Sequence, residues 1–149
     1  MNLDRADFEY DPEDPEGYKG GRYRPGPALG ATRTGVSVYE LPPGQAVCPY
    51  HYEYTEEEWL LVLDGEVEVR TPEGTEVLGP QSLRFFPTGP EGAHGIRNAG
   101  DATARVLMFS NLVELGATVY PDSDKLGVYP AGDRHLFRRG DAVDYYEGE

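Results

Sequence analysis

Basic residues, cysteines and long hydrophobic runs are all scarce in this chain of 149 residues. It has 13 Lys and Arg against 27 Asp and Glu, which gives a formal net charge of −14. This balance argues against a nucleic-acid partner, because affinity for a phosphate backbone depends on clustered Lys and Arg. The acidic surplus is interpreted as a well-solvated surface that keeps the protein soluble.

The single cysteine, Cys48, has no second cysteine in the chain with which to form a disulfide. Because it precedes Pro49 in an apolar context, we interpret it as a buried, unreactive thiol. No apolar run approaches the roughly 20 residues needed to cross a bilayer. The acidic N-terminus lacks the basic-then-apolar pattern of a signal peptide. We therefore expect a cytoplasmic protein that does not associate with membranes.

Helical periodicity is also missing, since no stretch of about twelve residues or more has a clean 3.6-residue apolar period. From Thr34 onward the chain consists of short β-like runs separated by turn sequences. The run of residues 59–70 contains Asp64-Gly65, a dipeptide that favours a hairpin. It ends at the turn Thr71-Pro72-Glu73-Gly74. Many short strands at this spacing predict an all-β fold, either a small barrel or a two-sheet jelly roll.

Length predicts one domain, and composition divides it into three parts. Residues 11–30 include nine Gly or Pro, a composition that disfavours both helix and sheet interior. We predict an irregular N-terminal arm over residues 1–33 that packs on the domain, a β-barrel over residues 34–120 and a C-terminal extension over residues 121–149.

Side-chain alternation in a strand separates the residues around His51 into two faces. His51 and Glu53 share one face, and a His beside a Glu on an inward face is costly without a shared positive partner. The other face carries Tyr50, Tyr52 and Tyr54. We interpret these tyrosines as an outward stripe that packs against the arm or a second subunit.

The strand that begins at Trp59 is apolar on both faces. Trp59, Leu61 and Leu63 share one face, and Leu60 and Val62 share the other. A strand of this kind must be covered on both sides. The second sheet covers one side, and the arm or a second copy of the chain covers the other, so we expect a homodimer.

Two of the three histidines, His51 and His94, lie in strand-like segments, and Glu53 and Glu58 follow the first of them. Imidazoles and carboxylates that converge from different strands are typical of a divalent transition-metal site. A set of two His and two carboxylates favours Fe²⁺ or Mn²⁺, although Zn²⁺ also accepts these ligands. Two His and one carboxylate match the facial triad of non-haem iron oxygenases, and the sequence leaves open whether Glu53 or Glu58 completes it.

Residues 35–112 resemble the two motifs of the cupin family, and in particular single-domain cupins of the cupin 2 type in an uncharacterised subgroup. The resemblance implies a cupin double-stranded β-helix, or jelly-roll barrel, with a metal held inside by His51, Glu58 and His94. The chain departs from the family at Glu53, where a second histidine is most common. The matching residues are Gly44, His51, Glu53, Glu58 and Gly65 in the first motif and Gly79, Pro87, Gly89, His94 and Asn98 in the second.

The resemblance implies a metal-binding protein that binds or transforms a small polar molecule inside the barrel. The metal would be Fe, Mn, Zn or Ni, held by His51, Glu53, Glu58 and His94, with Glu53 as fourth ligand or as catalytic acid or base. The family permits dioxygenase, isomerase and decarboxylase activities, and whether the protein is an enzyme stays open. The alternatives are a metal-free binding module and a mainly structural homodimer.

The remaining polar residues receive simpler interpretations. His135 has no partner motif and is expected at the surface. Asn98 and the Gly-Pro-Glu-Gly loop before His94 are expected to shape the local turn. The candidates for holding a carboxylate or phosphate are Arg70, Arg84, Arg97 and Arg105.

Overall fold

A computed structural model describes residues 2–130 and 133–149 of the chain. Strands dominate this part, as the all-β jelly-roll prediction requires. The only α-helix in the described residues is α1 (Gly26–Leu29), and short 3₁₀ turns lie at Leu3–Arg5, Pro90–Gly92, Pro121–Ser123 and Arg139–Asp141. The strands are β1 (Gly21–Tyr23), β2 (Thr34–Leu41), β3 (Tyr52–Glu53), β4 (Glu58–Asp64), β5 (Val67–Thr71), β6 (Gly74–Leu78), β7 (Leu83–Phe86), β8 (Gly95–Arg97), β9 (Ala104–Asn111), β10 (Leu115–Tyr120), β11 (Lys125–Pro130) and β12 (His135–Arg138).

The strands form three antiparallel sheets. The largest has the order β1-β2-β9-β4-β7, the second β12-β11-β10-β3 and the third β6-β5-β8. An isolated β-bridge pairs His51, the residue before β3, with His94, the residue before β8. This bridge links the second and third sheets at the position of the two histidines.

The main core lies between the large sheet and the three-stranded sheet. Alternation along β4 turns Leu60 and Val62 inward, and both are fully buried. Val67 and Val69 of β5 reach the same cluster from the other sheet and are also fully buried. Each buried aliphatic side chain contributes about 1.5–3 kcal/mol relative to exposure, so this cluster supplies much of the barrel's stability.

Tyr52 corrects the prediction of an outward tyrosine stripe. Its side chain is buried and forms a second core cluster with Ala93 and Val119, and Tyr50 packs against that cluster. Tyr54 is exposed, as expected of an outward residue. The alternation was assigned correctly, but β3 pairs with β10 over two residues, and the surrounding segments fold over its second face.

Asp64-Gly65 does not form the predicted hairpin. β4 already has β7 on one edge and β9 on the other, whereas β5 pairs with β6 and β8. The dipeptide therefore carries the chain from one sheet to another. Gly65 has a φ of +71°, and a Cβ there would lie 2.9 Å from the Cα of Ala104. The turn at residues 71–74 does join two paired strands, β5 and β6, as its sequence predicts.

The outer face of β4 is only partly covered by its own chain. Trp59 is 38% exposed and packs against Phe85 at a ring-centroid distance of 4.7 Å. Phe109 on β9 and Leu83 on β7 extend the same exposed apolar face. The inner face of β4 is therefore buried within this chain. Burial of its outer face by a second copy of the chain stays a prediction.

Both terminal segments contribute strands. In the segment of residues 1–33, β1 pairs with β2, and Tyr10 donates a hydrogen bond from Oη to Glu40 Oε2 at 2.5 Å. In the segment of residues 121–149, β11 pairs with β10 and then with β12. Residues 1, 131 and 132 of these predicted segments lie outside the described residues.

None of the helices within the described residues has the length and apolar character needed to cross a membrane.

Candidate metal centre

Three strand beginnings bring the predicted site residues together. Glu58 is the first residue of β4, His51 immediately precedes β3, and His94 immediately precedes β8. The backbone N–H of His51 donates to the carbonyl of His94 at 3.0 Å, and the reverse bond is 2.8 Å. The two histidines are therefore direct neighbours across a β-bridge, and the large sheet places Glu58 opposite them.

The hydrogen bonds of both imidazoles leave the Nε2 atoms facing the site. His51 Nδ1 lies 3.0 Å from the carbonyl oxygen of Pro49, and His94 Nδ1 lies 2.9 Å from that of Gly92. A carbonyl oxygen only accepts, so each Nδ1 carries the hydrogen and donates. Each neutral ring then presents the lone pair of Nε2, which is the arrangement of a metal-ligating histidine.

Packing fixes the orientation of His94. Its ring stacks on Phe86 with a centroid distance of 3.8 Å and an interplanar angle of 12°. The loop that supplies its carbonyl partner is equally tight, because a Cβ on Gly92 would lie 1.7 Å from the carbonyl oxygen of Pro87. The loop therefore requires glycine at this position. It also shapes the turn before His94, as the sequence predicts.

The donor atoms have the separations and the chemistry that a cation needs. Glu58 Oε2 lies 3.3 Å from His94 Nε2 and 3.6 Å from His51 Nε2, and all three atoms lie within 4.8 Å of one another. Bonds from His and carboxylate to such a metal are about 2.1 Å long, so one ion could contact all three. Glu58 Oε2 is also buried without a hydrogen-bond partner among the described residues. A shared cation would satisfy it.

The titration of these groups reflects how closely they are packed. Burial, and then the neighbouring His51, lower the pKa of His94 to about 4. Burial alone would lower the pKa of His51, but Cys48 and Glu58 outweigh it, so that pKa is raised. Burial alone would raise the pKa of Glu58, but the two histidines lower it.

Glu53 lies at the edge of this group. Its Oε1 atom is 3.8 Å from His51 Nε2, and its Oε2 atom accepts a hydrogen bond of 2.6 Å from Thr118 Oγ1. Burial raises the pKa of its carboxyl group. The compact set of three donors in the described residues contains Glu58 and omits Glu53, which favours Glu58 as the carboxylate ligand. Glu53 therefore lies next to this set without belonging to it.

The arginines named from the sequence lie elsewhere. Arg70 pairs with Asp122, Arg84 with Glu76 and Arg105 with Glu40, while Arg97 donates to the carbonyl of Gly44. None of these four lines the cleft beside His51. His135 is an exposed residue 3.1 Å from Asp133, in agreement with its predicted surface position.

Other residues at the site were not found from the sequence. Thr118 and Tyr120 alternate on β10 toward the cleft, and Tyr120 stacks on His51 with a centroid distance of 6.0 Å. Cys48 Sγ lies 3.5 Å from His51 Nδ1. Arg24 and Arg134 also line the cleft. Period-two alternation in β10 could have placed Thr118 and Tyr120 together, but no local signal connects residues 24 and 134 with residue 51.

The fold and the His-Glu-His arrangement define a small β-barrel protein with a candidate metal centre in its interior. Residues 37–110 match the model of the Cupin domain family, and the chain belongs to the cupin superfamily. No curated protein matches it by sequence.

Solved structures reproduce this fold over almost the whole chain. A cupin-superfamily sugar phosphate isomerase from Silicibacter pomeroyi shares 22% identity over 98% of this chain and 96% of its own, with a TM-score of 0.84. A putative sugar phosphate isomerase from Acidithiobacillus ferrooxidans shares 23% identity over 96% and 90%, with a TM-score of 0.80. The polyketide cyclase RemF from Streptomyces resistomycificus shares 23% over 74% and 77%, with a TM-score of 0.62. At these identities the likeness establishes the fold.

Proposed function

We propose that this protein is a metal-dependent isomerase that moves a proton between neighbouring carbons of a small polar hydroxy-carbonyl compound. Glu53 is the observation that carries the proposal. It is a half-buried carboxylate whose pKa is raised, held by Thr118 beside the His51-Glu58-His94 group. A site that only stores a metal has no need for a second carboxylate positioned in this way.

The residues of the chain divide the reaction between them. His51, Glu58 and His94 would hold a divalent ion, which supplies Lewis acidity toward the oxygens of the substrate. Glu53 takes the proton from the carbon next to the carbonyl and returns it to the neighbouring carbon. The hydroxyl proton passes to the former carbonyl oxygen, so atoms and electrons balance. Because Thr118 occupies Oε2, Oε1 is the atom that carries the proton.

Two arguments favour isomerisation over dioxygenation and decarboxylation. A carboxylate with a raised pKa is a stronger base than an ordinary one, which suits abstraction of a proton from carbon. Two structures that share the fold over nearly the full length of both chains carry sugar phosphate isomerase in their names. These points support the isomerase class without identifying the sugar.

Metal content tests the first half of the proposal. We expect about one Fe, Mn, Zn or Ni ion per chain by elemental analysis after exposure to each salt, and loss of the ion in His51→Ala and His94→Ala. His135→Ala is the matched control, because it removes an exposed histidine outside the site. Wild-type protein that takes up no ion would contradict the proposal and favour the metal-free binding module.

Proton transfer tests the second half. With aldose and ketose phosphates in D₂O, the metal-loaded protein should introduce deuterium at the carbon beside the carbonyl, detected by NMR. Glu53→Gln should retain the ion and slow this exchange by about 10²–10⁴-fold, the usual contribution of a general base. Glu57→Gln, in the adjacent acidic run, should leave the rate unchanged. Equal exchange rates in Glu53→Gln and wild type would remove Glu53 from the mechanism.

A further inference from the structure

The cleft beside the metal ligands has a volume of about 480 Å³, enough for a small metabolite. His51, Glu53, Tyr120 and Tyr129 all line it, and the hydroxyl oxygens of the two tyrosines lie 2.7 Å apart. A molecule in this space could contact His51, Glu53 and these hydroxyl groups together.

Two arginines from opposite ends of the chain line the same cleft. Arg24 follows β1 in the N-terminal segment, and Arg134 immediately precedes β12 in the C-terminal segment. Both residues are exposed, and neither guanidinium forms an ion pair with a carboxylate among the residues that the structure describes. In contrast, Arg70, Arg84 and Arg105 are each paired with an acidic residue.

Arginines without acidic partners are unexpected in so acidic a protein. With a net charge of −14 and 27 acidic residues, the surface offers abundant carboxylates for any arginine. Glu53 and Glu56 also line the cleft, and their negative charges would oppose an anion. Two guanidiniums without acidic partners offset these carboxylates and favour an anion in the cleft.

We propose that Arg24 and Arg134 bind the phosphate group of a phosphomonoester whose carbonyl end reaches the His51-Glu58-His94 group. A guanidinium offers a planar fork of donors that matches phosphate oxygens. Two guanidiniums match a dianion, whereas a carboxylate needs only one. This inference rests on the proposed function for what happens at the other end of the substrate, but the phosphate site itself can be tested without turnover.

Binding of inorganic phosphate to the metal-free protein is the direct test, with formate as the monoanionic comparison. Isothermal titration should show phosphate bound more tightly than formate. We expect Arg24→Gln and Arg134→Gln each to weaken phosphate binding by about tenfold or more, since a charge-assisted bidentate contact is lost. Added NaCl should weaken binding in the wild type more than in either variant.

Two controls remove the same charge from the same segments. Arg22→Gln lies in β1 and Arg138→Gln in β12, and neither side chain lines this cleft. Both should bind phosphate as the wild type does. An equal loss in all four variants would show only a general field effect and would overturn the inference. Absence of phosphate binding in the wild type, or equal affinity for formate and phosphate, would overturn it too.

The outcomes separate this inference from the proposed function. Phosphate binding that depends on Arg24 and Arg134, without deuterium exchange in any sugar phosphate, would support the phosphate site and contradict the isomerase. Deuterium exchange with the same kcat/KM in wild type and both variants would support the isomerase and overturn the phosphate site.

Discussion

At the scale of single residues, the orientation of His94 depends on Gly92, a residue that supplies no side chain to the site. The carbonyl of Gly92 accepts the hydrogen bond from His94 Nδ1, and a Cβ at this position would collide with the carbonyl oxygen of Pro87. Gly92→Ala must therefore displace the loop that orients the imidazole. Partners of this kind contribute about 10–100-fold to metal affinity.

We accordingly expect Gly92→Ala to weaken binding of Mn²⁺ or Zn²⁺ by about 10–100-fold in a calorimetric titration. Gly79→Ala is the control, because a Cβ there meets nothing within 4 Å. Unchanged affinity in Gly92→Ala would mean that the carbonyl contact does not position His94.

Some residues of the candidate site could be predicted from the sequence and others could not. His51, Glu58 and His94 could be named from motif spacing, because the family resemblance fixes which residues of β-strands converge. Whether Glu53 or Glu58 lies nearer both histidines depended on the large sheet, which brings β4 across from the His51–His94 bridge. Arg24 and Arg134 could not be found, since their position is set by tertiary packing of the terminal segments.

At the scale of elements, the turn after β4 is the clearest departure from sequence expectation. Local chemistry at Asp64-Gly65 was interpreted correctly as a turn, but pairing is decided by which sheet edges are free. Both edges of β4 are occupied, so the chain must leave the sheet. Gly65 makes that exit with a left-handed backbone and close contact with Ala104.

A comparison of two glycines with similar φ angles distinguishes the cost of a left-handed backbone from the cost of a steric clash. Gly44 has a φ of +81° with nothing within 4 Å of a Cβ, whereas a Cβ on Gly65 meets Ala104 at 2.9 Å. Gly44→Ala should lower the free energy of unfolding by about 1 kcal/mol, the cost of the left-handed backbone alone. Gly65→Ala should cost more, because Ala104 must also move. Urea unfolding curves measure both, and equal losses would show that crowding is absent.

The contact between the N-terminal segment and β2 should depend on pH in both directions. The hydrogen bond from Tyr10, together with Arg105, lowers the pKa of Glu40, so the contribution to stability is present above the ordinary value of 4.5 and lost as pH falls below it. Burial and then Glu40 raise the pKa of Tyr10 from 10.0 to about 12, so the contribution is complete below pH 10 and lost between pH 10 and 12.

Tyr10→Phe should therefore destabilise the protein by less than about 1 kcal/mol near pH 7, the usual size for a solvent-exposed charged contact. The difference from wild type should shrink below pH 4.5 and above pH 10. Tyr145→Phe, at a tyrosine that is 87% exposed, should show no such dependence. A difference for Tyr10→Phe that stays constant across pH would exclude Glu40 as its partner.

At the scale of the whole molecule, the outer face of the large sheet carries an exposed apolar patch on β4, β7 and β9. Leu83, Phe85, Trp59 and Phe109 lie exposed on three adjacent strands, in a chain where 27% of residues are charged. Two copies of a protein with a net charge of −14 repel one another, and burial of apolar area at this patch would offset that repulsion. We propose that this face forms the predicted homodimer, a self-complementary contact between identical surfaces.

Trp59→Glu tests the dimer. It should convert the wild-type dimer to monomer in light scattering after size exclusion, because it places a charge at the centre of an apolar contact. Val77→Glu, at an exposed apolar residue on the three-stranded sheet, should remain dimeric. A monomeric wild type at micromolar concentration would contradict the proposal, and the outer face of β4 would then be solvent-exposed.

The fold class followed from the short strands, and alternation separated the two faces of β4 correctly. The structure shows that the face with Leu60 and Val62 is the buried one. The covering of Tyr52 did not follow, because β3 is a two-residue strand, too short for a face to be assigned from pattern alone. The residues that cover Tyr52, Ala93 and Val119, are distant from it in the sequence.

The bridge between His51 and His94 also determines when during folding a metal can bind. These residues are far apart in sequence, and contacts of that kind form only after loop-closure entropy has been overcome. We expect the two imidazoles to become neighbours only when the second and third sheets come together. The nascent chain, with its many loose carboxylates, therefore offers no preassembled pair of nitrogen ligands. Selection among metals would then depend on the geometry of the finished cavity, and a bound ion would stabilise a structure that has already formed.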